Sequence, residues 1–417
     1  MKKTNKKILF VHQNFPAQYK HISVELVNLG YEVHTLSIKE YSHEGMNNHS
    51  YNLIGQSSEN INQWSIEFET KMIRAESAAR KAFNLKKNGF SPDLIIGHPG
   101  WGETFFLKEV WPEAKILSYV EFYYKTSDCD IDFDRDFIEN ILMKNFEDFH
   151  IYNKLKLTAR NSPFLSSYAT SDYLVCPTEY QKSLVPKILR GSINVIHDGI
   201  DTNFLKPKGD VSITINKRKF TKKDKIITYV SRSLDPYRGF HVFMESIPEI
   251  LKENPDTYIF IAGNKESHGY GAPSPEGNFK DIFYSKIKRE IDESKIFFLD
   301  FLEYSSYIKV LQISTLHIYL TYPFVLSWSM LEAMSCGALV LGSNTKPVTE
   351  VIKNNDNGLL VDFFDSKMIS KKITKVLKNN DNYNDLRLNA RKTIIEKYDL
   401  ENVCLPAHLN LIKKALQ

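Results

Sequence analysis

Two arginines, Arg232 and Arg238, bracket the turn Ser233-Leu234-Asp235-Pro236-Tyr237, and Gly239 follows. The apolar run Ile226 to Val230 before them reads as a strand, and a helical pattern begins after Gly239. A turn beyond the carboxyl end of a strand that opens a helix offers unpaired N–H groups and about half a positive charge, so it attracts anions. Guanidinium groups add forked contacts that fit phosphate. An isolated arginine would more often pair with an acid such as Asp235 or Glu245, but the spacing and the turn favour phosphate. A second such turn runs from Tyr322 to Gly337, with a helix starting near Ser327. The N–H groups of Leu326, Ser327 and Trp328 can cap a phosphate there. Glu332 follows about one and a half turns further in. It can accept both hydroxyls of a ribose, or serve as a solvated cap partner.

In the first half, Gly97-His98-Pro99-Gly100-Trp101-Gly102-Glu103 closes the strand Leu94 to Ile96. A lone histidine is often a satisfied structural group, yet this one sits among glycines at a strand end, where α/β proteins place ligands. Glu121, Tyr123 and Tyr124 follow the strand Ile116 to Tyr119 and can line the same edge, or simply pack. The run Asp128-Cys129-Asp130-Ile131-Asp132-Phe133-Asp134 has Asp-x-Asp spacing, but it lies between strands and reads as a solvated acidic segment rather than a metal site. Cys129, Cys176, Cys336 and Cys404 are far apart and form no zinc or redox motif, which suits a reducing compartment.

These residues need elements to hold them. Short apolar runs alternate with helical patterns throughout, the mark of parallel α/β sheets. The first series is Ile8 to Val11, Glu32 to Ser37, Leu94 to Ile96, Ile116 to Tyr119, Tyr173 to Cys176 and Ile193 to Ile196. A second series is Ile226 to Val230, Tyr258 to Ala262, Ile296 to Leu299, Leu316 to Leu320, Leu339 to Leu341 and Leu359 to Val361. At 417 residues the chain is long enough for two cores. The boundary reads near 205, where Leu205 to Asp210 precedes a basic stretch, Lys217 to Lys223, taken as an exposed connection. A composition of 42% hydrophobic and 25% charged residues excludes disorder, and a net charge of +4 gives no reason to expect nucleic acid. Trp64, Phe68, Met72, Ala75, Ala79 and Phe83 can share one helix face. That face reads as packing on the first sheet, with peripheral membrane contact as the other reading. The basic leader Met1 to Lys7 precedes a run too short for a signal peptide, and Leu311 to Trp328 is too broken for a membrane span. The expectation is a cytoplasmic protein, working at the inner membrane face if its substrate is lipid-linked.

Taken together, Val195-Ile196-His197-Asp198-Gly199-Ile200-Asp201-Thr202-Asn203-Phe204, the Arg232/Arg238 turn and Leu331-Glu332-Ala333-Met334-Ser335-Cys336-Gly337 resemble the family 4 glycosyltransferases, retaining enzymes of GT-B fold. The opening Ile8 to Pro16, the run Leu320 to Trp328 and Glu350-Val351-Ile352 are similar to a bacterial branch of it. The resemblance implies two Rossmann-like domains facing a cleft: an acceptor-side domain over 1–205, a donor domain over 206–398, and a helix over 399–417 crossing back to the first. It implies that Arg232 and Arg238 grip the diphosphate of a nucleotide sugar, Glu332 holds the ribose, and Gly263 passes close to the nucleotide. Backbone near Phe301 and Leu302 would meet the base. His98 would contact the transferred sugar, with Asn14, Gln18, Gly100, Glu121 and Phe324 as further sugar or acceptor candidates. The donor is a substrate, and neither a cofactor nor a metal is implied. Three departures stand out. Phe324 occupies the place of the family's first glutamate, Asn14-Phe15-Pro16-Ala17-Gln18 replaces a loop with paired glycines, and Arg238 stands where lysine is common. Phe324 also leaves room for a weakened, non-catalytic sugar-nucleotide binder; a GT-B epimerase is another alternative, and a membrane or nucleic-acid scaffold a third.

Overall fold

Runs rich in Ile, Leu and Val with no polar alternation can be buried on both faces, which is what parallel strands between helices require. The computed structural model describes residues 5–265 and 269–417. Residues 1–4 of the basic leader lie outside the described residues. The chain divides into two units, one of residues 1–127, 150–198 and 401–417, the other of 128–149 and 199–400.

The first unit carries strands β1 (Lys7–Val11), β2 (Glu32–Ser37), β3 (Met46–Ser50), β4 (Leu94–Gly97), β5 (Lys115–Tyr119), β6 (Tyr173–Cys176) and β7 (Ile193–Val195). All pair in parallel, in the order β3-β2-β1-β4-β5-β6-β7. The second carries β8 (Ser212–Ile215), β9 (Arg218–Thr221), β10 (Lys225–Ser233), β11 (Thr257–Asn264), β12 (Ile296–Phe298), β13 (Leu316–Tyr319), β14 (Leu339–Ser343) and β15 (Leu359–Val361). Its parallel sheet runs β12-β11-β10-β13-β14-β15. In each sheet the winding reverses once, between β1 and β4 and between β10 and β13. A reversal opens a crevice at the carboxyl ends of those strands, where α/β proteins bind ligands. The sequence thus delivers two Rossmann-like sheets, each with one such place.

Several expectations need correction. The basic stretch Lys217 to Lys223 is not a loose connection: β8 and β9 form an antiparallel hairpin whose turn, Asn216-Lys217, takes left-handed backbone at both residues. Phe220 inserts between Tyr258 and Phe260 and is fully buried, which anchors the hairpin. β3 was hidden because Met46-Asn47-Asn48-His49-Ser50 lacks an apolar pattern; it is an edge strand. The helix Ile66–Lys87 turns a different face inward from the one its large side chains suggest. Ala75, Ala78 and Ala82 are buried with Lys71, while Phe68 and Phe83 are exposed. Small side chains let that helix approach the sheet closely, and the bulky ones cannot follow.

The two units part at Asp198/Gly199 and Leu400/Glu401, where the sequence reading placed boundaries near 205 and 398. The helix Leu405–Ala415 belongs to the first unit, packing Leu411, Ile412 and Ala415 among core residues of β1 and β4. Pro406 sits in its first turn, where a missing N–H breaks no helical bond. Among the described residues, no helix is long and apolar enough to cross a membrane.

Five buried or half-buried histidines make stability depend on pH. Burial pushes His12, His49 and His408 down to about 4, with His98 adding to the effect at His12, and pushes His197 and His317 down to about 3. An unfolded histidine takes its proton near pH 6.5, so the unfolded chain binds more protons than the fold at intermediate pH. Their contribution is complete above about pH 6.5 and is lost as pH falls through 4 to 3. The melting temperature, followed by circular dichroism, is expected to be level near neutrality and to drop between about pH 6 and pH 4. A flat profile over that range would contradict the burial of these rings.

Candidate functional site

At the crevice of the second unit, β10 does not stop at Val230 but continues through a register shift between Val230 and Ser233. The shift turns Arg232 outward, where it is exposed and has no ion-pair partner among the described residues. Gly263 on β11 makes this possible. A Cβ there would stand 2.9 Å from the Ser231 carbonyl oxygen and 2.7 Å from Leu234 Cδ2. Its absence of a side chain is thus explained by strand packing, without a nucleotide.

Arg238 is different. It ends a short 3-10 turn, Pro236–Arg238, capped by Asp235, whose carboxylate accepts from the Arg238 backbone N–H at 3.2 Å. Its side chain is buried, and Nη1 donates to Tyr319 Oη (3.2 Å), Thr321 Oγ1 (2.8 Å) and the Val325 carbonyl (2.9 Å). Burial acts to lower its pKa, but Tyr319, Tyr270 and Asp235 outweigh it and hold the guanidinium above its usual value. Gly239 then takes left-handed backbone against Leu320, whose Cβ leaves no room for a side chain there. Asp235 itself is buried and its pKa is pushed up to about 6 by desolvation, against the pull of Arg238.

The second loop leads from β13 into the helix Trp328–Ser335, with Ser327 as N-cap accepting from the Ser329 N–H. The N–H of Ser327 is engaged, donating to Tyr319 Oη at 2.8 Å. Leu326 points into the core and Trp328 is exposed. Arg232, Arg238, Tyr319, Ser327 and Ser329 line one pocket. Tyr319 was missed from sequence. Its hydroxyl accepts from Arg238 and Ser327, both donors, so its own hydrogen remains for a ligand. The available signal was its place as the last residue of β13, at the carboxyl edge. Glu332 is buried, and its two carboxylate oxygens accept from Tyr304 Oη (2.9 Å) and Tyr307 Oη. Burial raises its pKa despite both tyrosines. Each oxygen keeps a second lone pair, so a ribose could still bind, but in competition with these hydroxyls. Leu302 is half-buried beside the hairpin core, and Phe301 is 85% exposed.

At the crevice of the first unit, His12 follows β1 and His98 follows β4, their rings 5.5 Å apart. His98 is buried, stacks on Tyr119, and accepts at Nδ1 from the Gly100 N–H (3.0 Å), which leaves its ring proton on Nε2 facing Glu121 Oε2 at 3.3 Å. Gln181 donates to the Glu121 backbone carbonyl. His98, Gly100, Trp101, Tyr119, Glu121 and Arg160 are among the residues lining a pocket. Asn14 is exposed and its N–H donates to His12 Nδ1, whereas Gln18 is half-buried with its side-chain nitrogen enclosed. Ala17 holds left-handed backbone, φ 43°, a conformation that glycine would adopt more easily.

Residues 30–205 match the family described as Glycosyl transferase family 4 group, and residues 211–393 that described as Glycosyl transferases group 1. The chain belongs to the family 4 glycosyltransferases. YtcC of Bacillus subtilis (strain 168), provisionally described as a glycosyltransferase, is 24% identical over 213 residues, covering 48% of this chain. The match spans 49% of that relative's length. Sucrose-phosphate synthase from Thermosynechococcus elongatus superposes with a TM-score of 0.72 at 13% identity, covering 98% of this chain and 99% of that one. HepE from Anabaena, in complex with UDP and glucose, gives 0.66 at 13% identity over 98% and 100%. At such identities these likenesses show the fold alone, which is GT-B.

Against the family pattern, Phe324 is buried, within 4.9 Å of the Tyr270 ring and 5.4 Å of Tyr237, with the Arg238 guanidinium 5.7 Å above it. An aromatic wall stands where the family has a carboxylate. In the first unit, Gly100 owes its identity to His98: a Cβ would lie 2.4 Å from His98 Cε1. Gly100→Ala is therefore expected to displace the ring and lower any transfer activity at least about tenfold. Affinity for a nucleoside diphosphate should not change if it binds in the Arg232/Arg238 pocket, which belongs to the other unit. Equal losses in both measurements would contradict this separation.

Proposed function

We propose that the protein is a retaining, metal-independent glycosyltransferase that moves a sugar from a nucleoside diphosphate to an acceptor, at the cytoplasmic side of a membrane when that acceptor is lipid-linked. The observation that carries the reading is the pairing, in one pocket, of an exposed Arg232, without an ion-pair partner among the described residues, with a buried, oriented Arg238 beside a capped helix start. In this mechanism the C1–O bond to the diphosphate breaks as the acceptor oxygen bonds to C1 on the same face. The acceptor proton passes to the leaving diphosphate. Arg232, Arg238 and Tyr319 stabilise the charge that builds there, which is the dominant contribution such preorganised donors make. Glu332 holds the ribose, backbone near Leu302 meets the base, and His98, oriented by Gly100 and Glu121, contacts the transferred sugar. That HepE binds UDP and glucose makes a uridine sugar the first donor to try.

The buried Phe324 favours a second reading, a binder with weakened turnover, because no carboxylate is present at that position to order the sugar ring. Calorimetric titration with UDP-, GDP-, ADP- and TDP-sugars, followed by an assay for slow hydrolysis of the best binder, separates the two. Binding weakened in Arg232→Ala and Glu332→Ala together with release of the diphosphate by the unmodified protein supports a transferase. Binding without release supports the second reading, and no binding at all removes the donor site.

A further inference from the structure

The acidic run Asp128 to Asp134, expected to be solvated, is instead built into the second unit, and two of its carboxylates are buried. Asp132 caps its own turn, accepting from the N–H groups of Asp128 and Cys129. Asp130 and Asp134 reach further. Asp130 Oδ2 accepts from Tyr237 Oη at 3.0 Å. Asp134 Oδ2 accepts from Tyr322 Oη at 2.6 Å and faces His241 Nε2 at 2.9 Å, while Oδ1 accepts from the Phe137 N–H at 2.9 Å. Burial would raise the pKa of Asp134, but His241 and Tyr322 outweigh it and keep the carboxyl below its usual range, hence ionised.

Tyr237 precedes Arg238, and Tyr322 follows Thr321, one of the three acceptors that orient the Arg238 guanidinium. The two tyrosines also join each other, through a hydrogen bond from the Tyr322 N–H to the Tyr237 carbonyl (2.9 Å) and rings 4.7 Å apart. Fixing these hydroxyls therefore fixes both walls of the pocket. We propose that Asp130 and Asp134 are positioning residues of the donor site, a carboxylate latch that holds the Pro236–Arg238 turn and the Leu320–Trp328 loop in the shape that receives a nucleoside diphosphate. The inference rests on the donor-site reading above. Phe133, packed on Tyr322 and Phe363, and Phe137, packed on Phe279, anchor the same segment independently, so removing one carboxylate loosens the loops without detaching it.

The test compares Asp134→Ala, the milder Tyr322→Phe, which removes a single oxygen, and the double variant. Hydrogen–deuterium exchange is read over residues 234–240 and 320–328, and UDP, GDP, ADP and TDP are titrated by calorimetry. Asp134→Ala is expected to speed exchange in both segments and to weaken binding of the preferred diphosphate about tenfold, the order expected for one charge-assisted bond. Tyr322→Phe should move both readouts the same way by less, and the double variant should be no worse than Asp134→Ala, since both act through one bond. Unchanged exchange in the two segments overturns the latch, and so does faster exchange with unchanged affinity. If the unmodified protein binds none of the four diphosphates, the donor-site reading fails by itself and exchange alone decides whether the aspartates hold the loops. If Asp134→Ala does not fold, Tyr322→Phe carries both measurements.

Discussion

Arg232→Ala is expected to lower the transfer rate by about two to three orders of magnitude, the loss typical of removing one preorganised donor from a developing charge. The fold should not respond. Arg232 is exposed, sits in a strand irregularity and pairs with no acid among the described residues, so truncation breaks no ion pair among them. Surface changes of that kind alter stability by no more than about 0.5 kcal/mol. The rate constant at saturating donor should fall more than the donor affinity, because the leaving diphosphate carries more charge at the transition state than in the ground state. Transfer or donor-hydrolysis rates, with thermal melts on the same samples, check this. An active variant would remove Arg232 from the mechanism, and a destabilised one would mean that its partner in the fold had been overlooked.

Arg238→Ala should behave in another way, losing activity and stability together. Its guanidinium is the shared donor for Tyr319, Thr321 and the Val325 carbonyl, all beneath the pocket, and its removal leaves those acceptors enclosed without it. The expected loss is about 2–4 kcal/mol, read as a lower urea midpoint with little change in slope. Arg238→Lys keeps the charge but not the planar fork, and should restore only part of both quantities. A fully stable Arg238→Ala protein would show that the three contacts contribute nothing net. The two arginines look alike in sequence, and the contrast between their variants is the sharpest consequence of the bulge that exposes one and the turn that buries the other.

Much of the placement of the candidate residues on the fold was legible in advance. Strand-closing residues such as His98, Arg232 and the Ser327 helix start could be picked out because parallel α/β sheets present ligand groups at their carboxyl edges. Tyr319, Asp130 and Asp134 escaped that reasoning. Tyr319 closes β13, but its apolar neighbours give no sign that its hydroxyl will be shared between an arginine and a backbone N–H. An acidic run between elements looks solvated unless its distant partners, Tyr237, Tyr322 and His241, are known. The helix Ile66–Lys87 shows a related limit: periodicity identified the helix, but which face goes inward depended on how closely its neighbours allow it to approach.

The order of apolar runs and breakers by itself determined the α/β class, two sheets, most strand positions and the strand-to-helix turn that carries Arg232 and Arg238, because those depend on local propensity and burial of each short segment. Only the tertiary structure decided that Arg232 is exposed while Arg238 is locked, that Gly100 makes room for His98, that Glu332 is met by two tyrosines, and that residues 128–149 join the second unit. Each of those depends on side chains brought together from far apart in the chain, and such contacts leave no periodic mark in the sequence.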